Sequence, residues 1–439
     1  MRAAALAIAA SMLLAGCGER AARDAPVTVV FKHARMFGDD PVPRLVAAFE
    51  ARHPGIRVKT EALGSASDEQ HQFFVINLEG SAAAPVGSAA APVGSLGRGS
   101  GPGFDVMMLD VIWVPEFARA GWLLDLTPSL DPREMDAHFP AARDAAMWKG
   151  RVWALPWNFN VGLLYYRADL LARHGLAPPR TDAELEDAVR TITAAERDPK
   201  LDGFVWQGKQ YEGLTCNALE ALWASGTDLV SPHGAVLPDA ARAEDAFARL
   251  RGWIDRGISP AWVSAADEEL TRRAFGDGRA IFLRNWFYAM DLFDAPDSRV
   301  RGKVGLAPLP RRSAGVAAPG STGGSLLGVS RVTRHPAAAV ALARFLASDE
   351  AQRILAGGSV LPTRMALYHD AALLARRPHM PRFHDIALAA RPRPITPAYL
   401  MLSTSLQPEI SAAVVGVKSP ARAVADARRQ LTYVLSGLE

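Results

Sequence analysis

The chain has 439 residues, of which 49% are apolar and 22% are charged, and 49 basic against 46 acidic residues leave a formal net charge of +3. This length allows a large core and favours two domains or lobes over one compact layer pair. The near balance of charge gives no indication of a nucleic-acid-binding chain or of a disordered acidic one. The two cysteines, Cys17 and Cys216, are far apart and have no CxxC or CxxH neighbour, which excludes a disulfide framework and removes the basis for a zinc or redox motif.

The amino-terminal segment has the features of an export signal. Fourteen uncharged residues, Ala3 to Gly16, are too few to span a bilayer but are typical of a secretory apolar region. The run Leu14-Ala15-Gly16-Cys17 resembles the lipobox of bacterial lipoproteins, in which the cysteine becomes the lipidated first residue. The resemblance implies a signal peptide at residues 1–16, a lipid anchor at Cys17 and a tether at residues 17–25. The alternative is an ordinary signal peptide whose cleavage site lies near a cysteine.

Apolar runs alternate with segments of helical period after the tether, as expected when strands are joined by crossover helices. The order strand, helix, strand, helix, strand predicts a parallel, doubly wound sheet. These predicted elements are Val27 to Phe31, Pro43 to His53, Ile56 to Leu63, Ser67 to Glu79 and Phe104 to Asp110. Between the last two, Ser81 to Gly103 repeats SAAAPVG and continues in Gly and Ser, so we expect a mobile surface insertion there. A docking or glycan-gating loop is the less favoured interpretation.

The second half of the chain predicts more helix and a few strands. The predicted strands are Trp153 to Pro156, Val161 to Arg167, Phe204 to Trp206, Ala280 to Leu283, Lys303 to Ala307 and Leu326 to Ser330. The predicted helices are Thr181 to Glu196, Leu214 to Ser225 and Asp239 to Arg256, with further helices after Ser330. Thr181 followed by Glu184 has the spacing of a capping box.

Enzymatic and cofactor signatures are missing from the sequence. It contains no G-x-S-x-G, P-loop or H-E-x-x-H motif, and its dense glycine run, Gly97 to Gly103, precedes a strand instead of a helix. The ten histidines are scattered, and His379 and His384 are five residues apart, on different faces of a helix. We therefore expect no cofactor and no metal.

Polar residues beside tryptophan and tyrosine at the ends of predicted elements are candidates for ligand binding. They are Asp110 with Trp113, Trp157-Asn158-Phe159-Asn160, Tyr211-Glu212-Gly213, Asn285-Trp286-Phe287-Tyr288 and Pro392-Arg393-Pro394. A sugar has apolar C–H faces and a rim of hydroxyls, so its site needs flat aromatic rings and fixed carboxylate, amide and guanidinium groups. Taken singly, each residue also suits a core position, a helix cap or a surface ion pair.

Five stretches together resemble a known family. They are NFNVGLLYYR at 158–167, GFVWQGKQYEGLTC at 203–216, RNWFY at 284–288, KVGLAPLP at 303–310 and RPRPI at 391–395. They resemble the extracellular solute-binding protein family 1, and within it the trehalose/maltose-binding proteins of ABC importers, from about Val27 to Val434. The resemblance implies a periplasmic-binding-protein-like α/β fold with two discontinuous lobes joined by hinge strands around a ligand cleft. The implied lobes are residues 26–155 with 308–361, and residues 156–307 with 362–439.

The resemblance also implies a set of ligand-binding residues. Asp110 matches a hydroxyl-binding aspartate, Trp286 and Tyr288 an aromatic platform, and Arg393 a sugar-contacting arginine. The full set of candidates is Asp40, Asp110, Trp113, Asn158, Asn160, Tyr211, Glu212, Trp286, Tyr288, Gly324 and Arg393.

The sequence departs from the family pattern in three places, and the first two bear on the identity of the sugar. Asn158 and Asn160 stand where the family often has an aromatic residue and an aspartate, Gly323-Gly324-Ser325 replaces G-G-W, and the SAAAPVG repeat has no counterpart. Asp39 and Asp40 match an amino-terminal sugar contact poorly. A smaller or differently linked glycoside, or an amino or phosphorylated sugar derivative, therefore stays open.

The function that the resemblance implies is binding without turnover. An exported lipoprotein at the periplasmic or extracytoplasmic face would capture a di- or oligosaccharide of the trehalose/maltose type and deliver it, as a monomer, to an ABC permease. One alternative is a secreted glycoside hydrolase that uses Asp110 and Glu212 as its carboxylate pair. Another is a lipoprotein scaffold that has lost its ligand. Cys216 is expected to be a buried, inert thiol.

Overall fold

The structure is a computed structural model that describes residues 26–35, 40–64, 67–82, 103–231, 233–313, 315–357 and 360–437. The signal peptide, Cys17, the tether and most of the SAAAPVG segment lie outside these ranges. The strands are β1 Val27–Ala34, β2 Ile56–Leu63, β3 Val106–Asp110, β4 Met147–Trp148, β5 Arg151–Val152, β6 Ala154–Arg167, β7 Asp202–Val205, β8 Ala280–Trp286, β9 Val304–Ala307 and β10 Thr322–Val329. The helices are α1 Val42–Arg52, α2 Ser67–Ala82, α3 Val114–Arg119, α4 Pro132–Asp136, α5 Pro140–Ala145, α6 Ala168–Arg173, α7 Asp182–Glu196, α8 Glu212–Ala224, α9 Ala240–Asp255, α10 Glu268–Gly276, α11 Ala289–Phe293, α12 Pro336–Leu346, α13 Asp349–Ala356, α14 Ala371–Leu374, α15 Met380–Leu388, α16 Tyr399–Val414 and α17 Pro420–Ser436.

The main sheet is mixed. Its strand order is β2-β1-β3-β10-β6-β8-β7, and β9 pairs with the later part of β6 on the edge opposite β8. Strand β1 runs parallel to β2 and to β3, which confirms the parallel arrangement that the alternation of strands and helices predicts. Strand β10 is antiparallel to both β3 and β6, so this late strand enters the sheet next to the first three.

Strand β6 is one element where the sequence predicts two. Asn158 and Asn160 interrupt the apolar run, and for this reason the sequence pattern predicts two short strands instead of one strand of 14 residues. In the structure these two side chains are half-buried, whereas Trp157, Phe159 and Val161 between and beside them are buried. Because side chains alternate along a strand, both asparagines lie on the same, more open face of the sheet.

The buried residues form two separate cores, one for each lobe. The lobe 1 core takes its residues mainly from 29–157 and 326–355, and the lobe 2 core mainly from 159–309 and 356–431, with part of α5. Strand β6 joins the two, because it pairs with β10 as far as Val161 and with β8 from Gly162 onward. The predicted boundaries of the discontinuous lobes stay a prediction at the level of single residues.

A buried polar network connects β6 to the segment that follows α13. Gln352 Nε2 donates to the carbonyl of Trp157 at 2.7 Å, and the backbone N–H of Thr363 donates to Gln352 Oε1 at 2.7 Å. His138 Nδ1 lies 2.7 Å from Thr363 Oγ1. Burial, with a smaller contribution from the nearby Arg364, lowers the pKa of His138 to about 3, so this imidazole is neutral in the folded protein.

Local sequence patterns predict most helix ends to within two residues of the ends in the structure. Asp239 accepts the N–H of Arg242 at 3.1 Å and caps α9 as its sequence position suggests. The predicted capping box of α7 is only half formed: Thr181 Oγ1 accepts the N–H of Glu184 at 3.2 Å, but the Glu184 carboxylate accepts from Arg180 N–H instead. Among the described residues no helix is long and apolar enough to cross a membrane.

Candidate functional site

Arg393 joins carboxylates from both lobes. It lies between α15 and α16, and its Nη2 donates to Asp110 Oδ1 at 2.8 Å while its Nη1 donates to Glu212 Oε1 at 2.7 Å. Asp110 ends β3 in lobe 1, and Glu212 begins α8 in lobe 2. Arg393 is only 5% exposed, and because both bonds join charged groups they are charge-assisted hydrogen bonds. Three residues predicted separately therefore meet at one point.

Helix α16 completes the environment of Glu212. Tyr399 donates its hydroxyl to Glu212 Oε1 at 2.6 Å, and Ser403 donates to Oε2 at 2.5 Å. Burial acts to lower the pKa of Arg393, but the negative charges of Asp110 and Glu212 outweigh it and raise that pKa well above its usual value. Sequence reasoning missed Tyr399 and Ser403, although their spacing of four residues places them on one helix face just after the P-R-P stretch.

A row of polar residues crosses three neighbouring strands beside this junction. Ser325 of β10 stands directly opposite Asp110 of β3 on one side and Asn158 of β6 on the other. Directly opposed residues point to the same face of a sheet, so the three side chains form one polar strip. The backbone of Gly324 has φ +112°, and a Cβ there would lie 2.3 Å from the carbonyl oxygen of Asn158, so this position requires glycine.

The predicted aromatic platform lies at the far end of this strip. A Cβ built on Gly323 would lie 3.4 Å from Trp286 Cζ3 and 3.6 Å from Asn160 Cβ, so the indole, the asparagine and β10 are in contact range. Asn160 Oδ1 also accepts the backbone N–H of Phe287 at 3.0 Å. Trp286 and Tyr288 are both half-buried. Trp286 and the polar strip are therefore parts of one continuous surface.

A buried ion pair supports one face of the Trp286 ring. The guanidinium carbon of Arg284 lies 4.2 Å from the ring centroid, within the range of a cation–π contact. Arg284 is 1% exposed and donates to both carboxylate oxygens of Glu220, at 2.5 and 2.9 Å. Glu220 Oε1 in turn accepts the backbone N–H of Ser321, one residue before β10. Arg284 therefore occupies one face of the indole.

Comparison with known proteins identifies the family. Residues 39–353 match the family described as bacterial extracellular solute-binding protein. The chain belongs to this family of solute-binding proteins. The resemblance found in the sequence, and with it the two-lobed α/β fold, is thereby confirmed.

Individual relatives of this solute-binding protein agree with the assignment. A "Probable ABC transporter-binding protein" from Deinococcus radiodurans is 37% identical over 299 residues, which cover 66% of this chain and 70% of the relative. The structure of maltose-bound MalE3 from T. maritima is 32% identical with a TM-score of 0.78, covering 93% of this chain and 99% of that one. The GacH receptor of Streptomyces glaucescens is 24% identical with a TM-score of 0.73, covering 94% of this chain and 99% of that one. At this identity the likeness supports the fold alone.

Two of the predicted contact residues of this solute-binding protein have other surroundings. Trp113 is 1% exposed, and its ring stacks on Phe117 in the lobe 1 core, which corrects the expectation that it faces a ligand. Asp40 is exposed, and its Oδ1 accepts the N–H of Val42 at the start of α1.

Tyr211 and Cys216 of the solute-binding protein lie beneath the site. The Tyr211 hydroxyl donates to Glu268, and burial followed by the charge of Glu268 raises its pKa. Cys216 is buried, as expected, and burial raises the pKa of its thiol to about 12. The thiol is therefore protonated and unreactive at neutral pH.

The part of the solute-binding protein that the structure describes contains no group of three or more His, Cys, Asp or Glu side chains placed to hold a metal ion. His379 and His384 have separate acidic neighbours, Asp294 at 3.2 Å and Asp385 at 3.7 Å.

Proposed function

We propose that this solute-binding protein captures a neutral di- or oligosaccharide of the trehalose/maltose type between its lobes and delivers it to an ABC permease. The observation that carries the proposal is the surface that runs from the Arg393 junction along the polar strip to the half-buried Trp286. The identity with maltose-bound MalE3, 32% along almost the whole of that protein, supports a carbohydrate as the ligand.

The chemistry of this surface suits a sugar. The exposed side of Trp286 and the ring of Tyr288 offer apolar area for C–H faces, while Asp110, Asn158 and Asn160 offer acceptors and donors for hydroxyls. Glu212 and Tyr211 act indirectly in this proposal, because Glu212 holds Arg393 and Tyr211 is bonded to Glu268.

Two buried polar atoms beside the junction make no hydrogen bond within the part of the chain that the structure describes. Among the described residues, Arg393 Nε and Thr322 Oγ1 have no hydrogen-bond partner. Both residues line a cavity of about 10 Å³ between the loop after β3 and the P-R-P stretch. A buried polar atom without a partner costs free energy, and this cavity has room for about one water molecule, which could bridge either atom to a ligand hydroxyl.

The charge of the site favours a neutral sugar over a phosphorylated one. Asp110 and Glu212 together place two negative charges around the single positive charge of Arg393. A phosphate would add to this negative excess at short range in a poorly hydrated site. The same pairing disfavours a glycoside hydrolase, because the two carboxylates that would act on the glycosidic bond are both bonded to one guanidinium.

The family places this protein outside the cytoplasmic membrane, and we further propose that it is held there as a monomer by a lipid on Cys17. The sequence Leu-Ala-Gly-Cys at residues 14–17 supports this anchor. Cys17→Ser should release the protein from the membrane fraction and remove the lipid mass from its amino-terminal peptide. If the Cys17→Ser variant stays in the membrane fraction although its amino-terminal peptide carries no lipid, the proposed anchor is contradicted.

Mass spectrometry of the ligand that copurifies with the native protein tests the carbohydrate assignment. The exported protein is purified without sugar in the buffers, then denatured, and the released small molecules are analysed. We expect a hexose disaccharide or oligosaccharide, which is absent from the matched preparation of Trp286→Ala. A peptide or a nucleoside released in stoichiometric amount would overturn the proposal, and hydrolysis of chromogenic glycosides would overturn its claim of binding without turnover.

A further inference from the structure

Helix α10 begins with two consecutive glutamates directly beside the aromatic platform. Its cap is Asp267, which accepts the N–H of Leu270 at 3.0 Å, so the first turn of the helix is fixed without help from either glutamate. Glu268 and Glu269 are therefore free to use their side chains elsewhere.

The Glu268 carboxylate binds two aromatic side chains at once. Its Oε1 accepts Trp286 Nε1–H at 3.1 Å, and its Oε2 accepts the Tyr211 hydroxyl at 2.5 Å. The carbonyl of Glu268 also accepts Asn285 Nδ2–H at 3.1 Å, and Asn285 Oδ1 accepts the backbone N–H of Trp286 at 2.7 Å. Helix α10 thus holds Trp286 by its ring edge and by its backbone.

Glu269 makes the equivalent contact to the second platform residue. Its Oε1 accepts the Tyr288 hydroxyl at 2.9 Å, and Arg272 donates to both of its carboxylate oxygens, at 2.7 to 3.1 Å. Burial, followed by the charge of Glu269, raises the pKa of Tyr288, so the hydroxyl keeps the proton that it donates.

We infer that Glu268 and Glu269 are positioning residues that fix the aromatic platform and thereby set what it can recognise. The inference rests on the proposed function for the role of the platform. With Nε1–H of Trp286 and the hydroxyl proton of Tyr288 bonded to the protein, these side chains offer a ligand ring faces and no free donor. A contact held by a second layer of hydrogen bonds loses less rotamer freedom when a ligand binds.

The indole N–H resonance of Trp286 tests this anchoring without any ligand. The chain has ten tryptophans, and the ¹H–¹⁵N signal that disappears in Trp286→Phe is assigned to Trp286. A hydrogen bond to a carboxylate shifts such a proton downfield, so Glu268→Ala should move this one signal upfield and speed its exchange with solvent. Glu268→Gln has one acceptor oxygen for the two donors, so it should give a smaller shift. This variant also provides the readout if Glu268→Ala does not fold.

Ligand affinity provides the second readout. We expect Glu268→Ala to weaken binding of the copurifying saccharide about tenfold, and Glu268→Gln and Glu269→Ala about threefold each. Glu184→Ala is the matched control, because Glu184 also lies in the first turn of a lobe 2 helix but bonds only backbone N–H and Arg180. Its affinity and its Trp286 resonance should equal those of the wild type.

The two readouts separate this inference from the proposed function. If the wild type binds no saccharide, the proposed function fails, and the resonance alone decides whether Glu268 positions Trp286. An unmoved Trp286 resonance in Glu268→Ala, or full affinity in the presence of a shifted resonance, would overturn the inference.

Discussion

Arg393 and Asp110 are 283 residues apart in the chain, and yet Nη2 of the first lies 2.8 Å from Oδ1 of the second. Asp110 ends β3, whose residues pack in the lobe 1 core, and Arg393 lies between α15 and α16, whose residues pack mainly in the lobe 2 core, so this bond joins the two lobes. A ligand that bonds both residues stabilises the closed arrangement, because it gains both contacts only there. We therefore propose that the same side chains bind the ligand and report its presence by lobe closure.

Arg393→Lys should abolish tight binding. Lysine carries the charge but has no planar fork, so it cannot bond Asp110 and Glu212 as Arg393 does. We expect affinity to fall at least about a hundredfold, which is about 2.7 kcal/mol. The matched control is Arg391→Lys, two residues earlier, whose side chain is 44% exposed and pairs with Asp228. Calorimetry with the copurifying saccharide checks both, and equal losses in the two variants would contradict the prediction.

Trp286→Ala should cost more affinity than Trp286→Phe. Phenylalanine keeps an apolar ring for the sugar and loses only the hydrogen bond to Glu268, whereas alanine loses the whole stacking surface. We therefore expect the affinity to fall about thirtyfold in the alanine variant and about fivefold in the phenylalanine variant. Trp262→Ala is the control, because Trp262 is also half-buried and donates Nε1–H to a carboxylate, that of Asp202, at 3.2 Å. Fluorescence titration measures all three, and a Trp262→Ala loss as large as that of Trp286→Ala would contradict a specific platform.

Glu220→Ala should destabilise lobe 2 strongly. It leaves the guanidinium of Arg284 buried without its carboxylate partner, and breaking a buried pair in this way costs about 3 to 5 kcal/mol. Glu186→Ala removes the partner of exposed Arg190 and Arg256 and should cost about 1 kcal/mol or less. Urea unfolding measures the free energy of unfolding of both variants. A similar loss in the two would contradict the prediction that the buried Glu220–Arg284 pair stabilises lobe 2.

The buried His138 predicts a pH dependence of stability. Its pKa in the folded protein, about 3, lies below its ordinary value of 6.5, so between these values the unfolded chain binds a proton that the folded chain does not. This contribution is complete above the unfolded pKa and is lost as the pH falls toward the folded pKa, by at most about 5 kcal/mol. His138→Gln should therefore lose less stability than the wild type between pH 7.5 and pH 4.5, as measured by urea unfolding. Identical losses would contradict the assignment.

Features that depend on neighbouring residues could be predicted from the sequence. The sequence predicts helix α9 to within one residue at each end, and the apolar runs predict β1 to β3. Strand β6 was predicted as two pieces, because the polarity of Asn158 and Asn160 reflects an open sheet face that only the folded protein defines.

The candidate site was predicted unevenly for the same reason. The clusters of polar residues beside aromatic ones, and then the family resemblance, indicate Asp110, Glu212 and Arg393 as candidates, but no sequence pattern indicates that they form one junction. Glu268 was missed because its partners, Tyr211 and Trp286, lie 57 and 18 residues away. Trp113 was named from its position after Asp110, whereas packing against Phe117 decides its place in the core.

Calorimetric titration of the ligand-free wild-type protein with maltose, trehalose and a panel of related glycosides tests the central claim most directly. We predict heat of binding for at least one neutral di- or oligosaccharide, with a Kd on the order of 1 µM, which is about −8 kcal/mol. Folded protein that gives no heat with any saccharide of the panel would contradict the account.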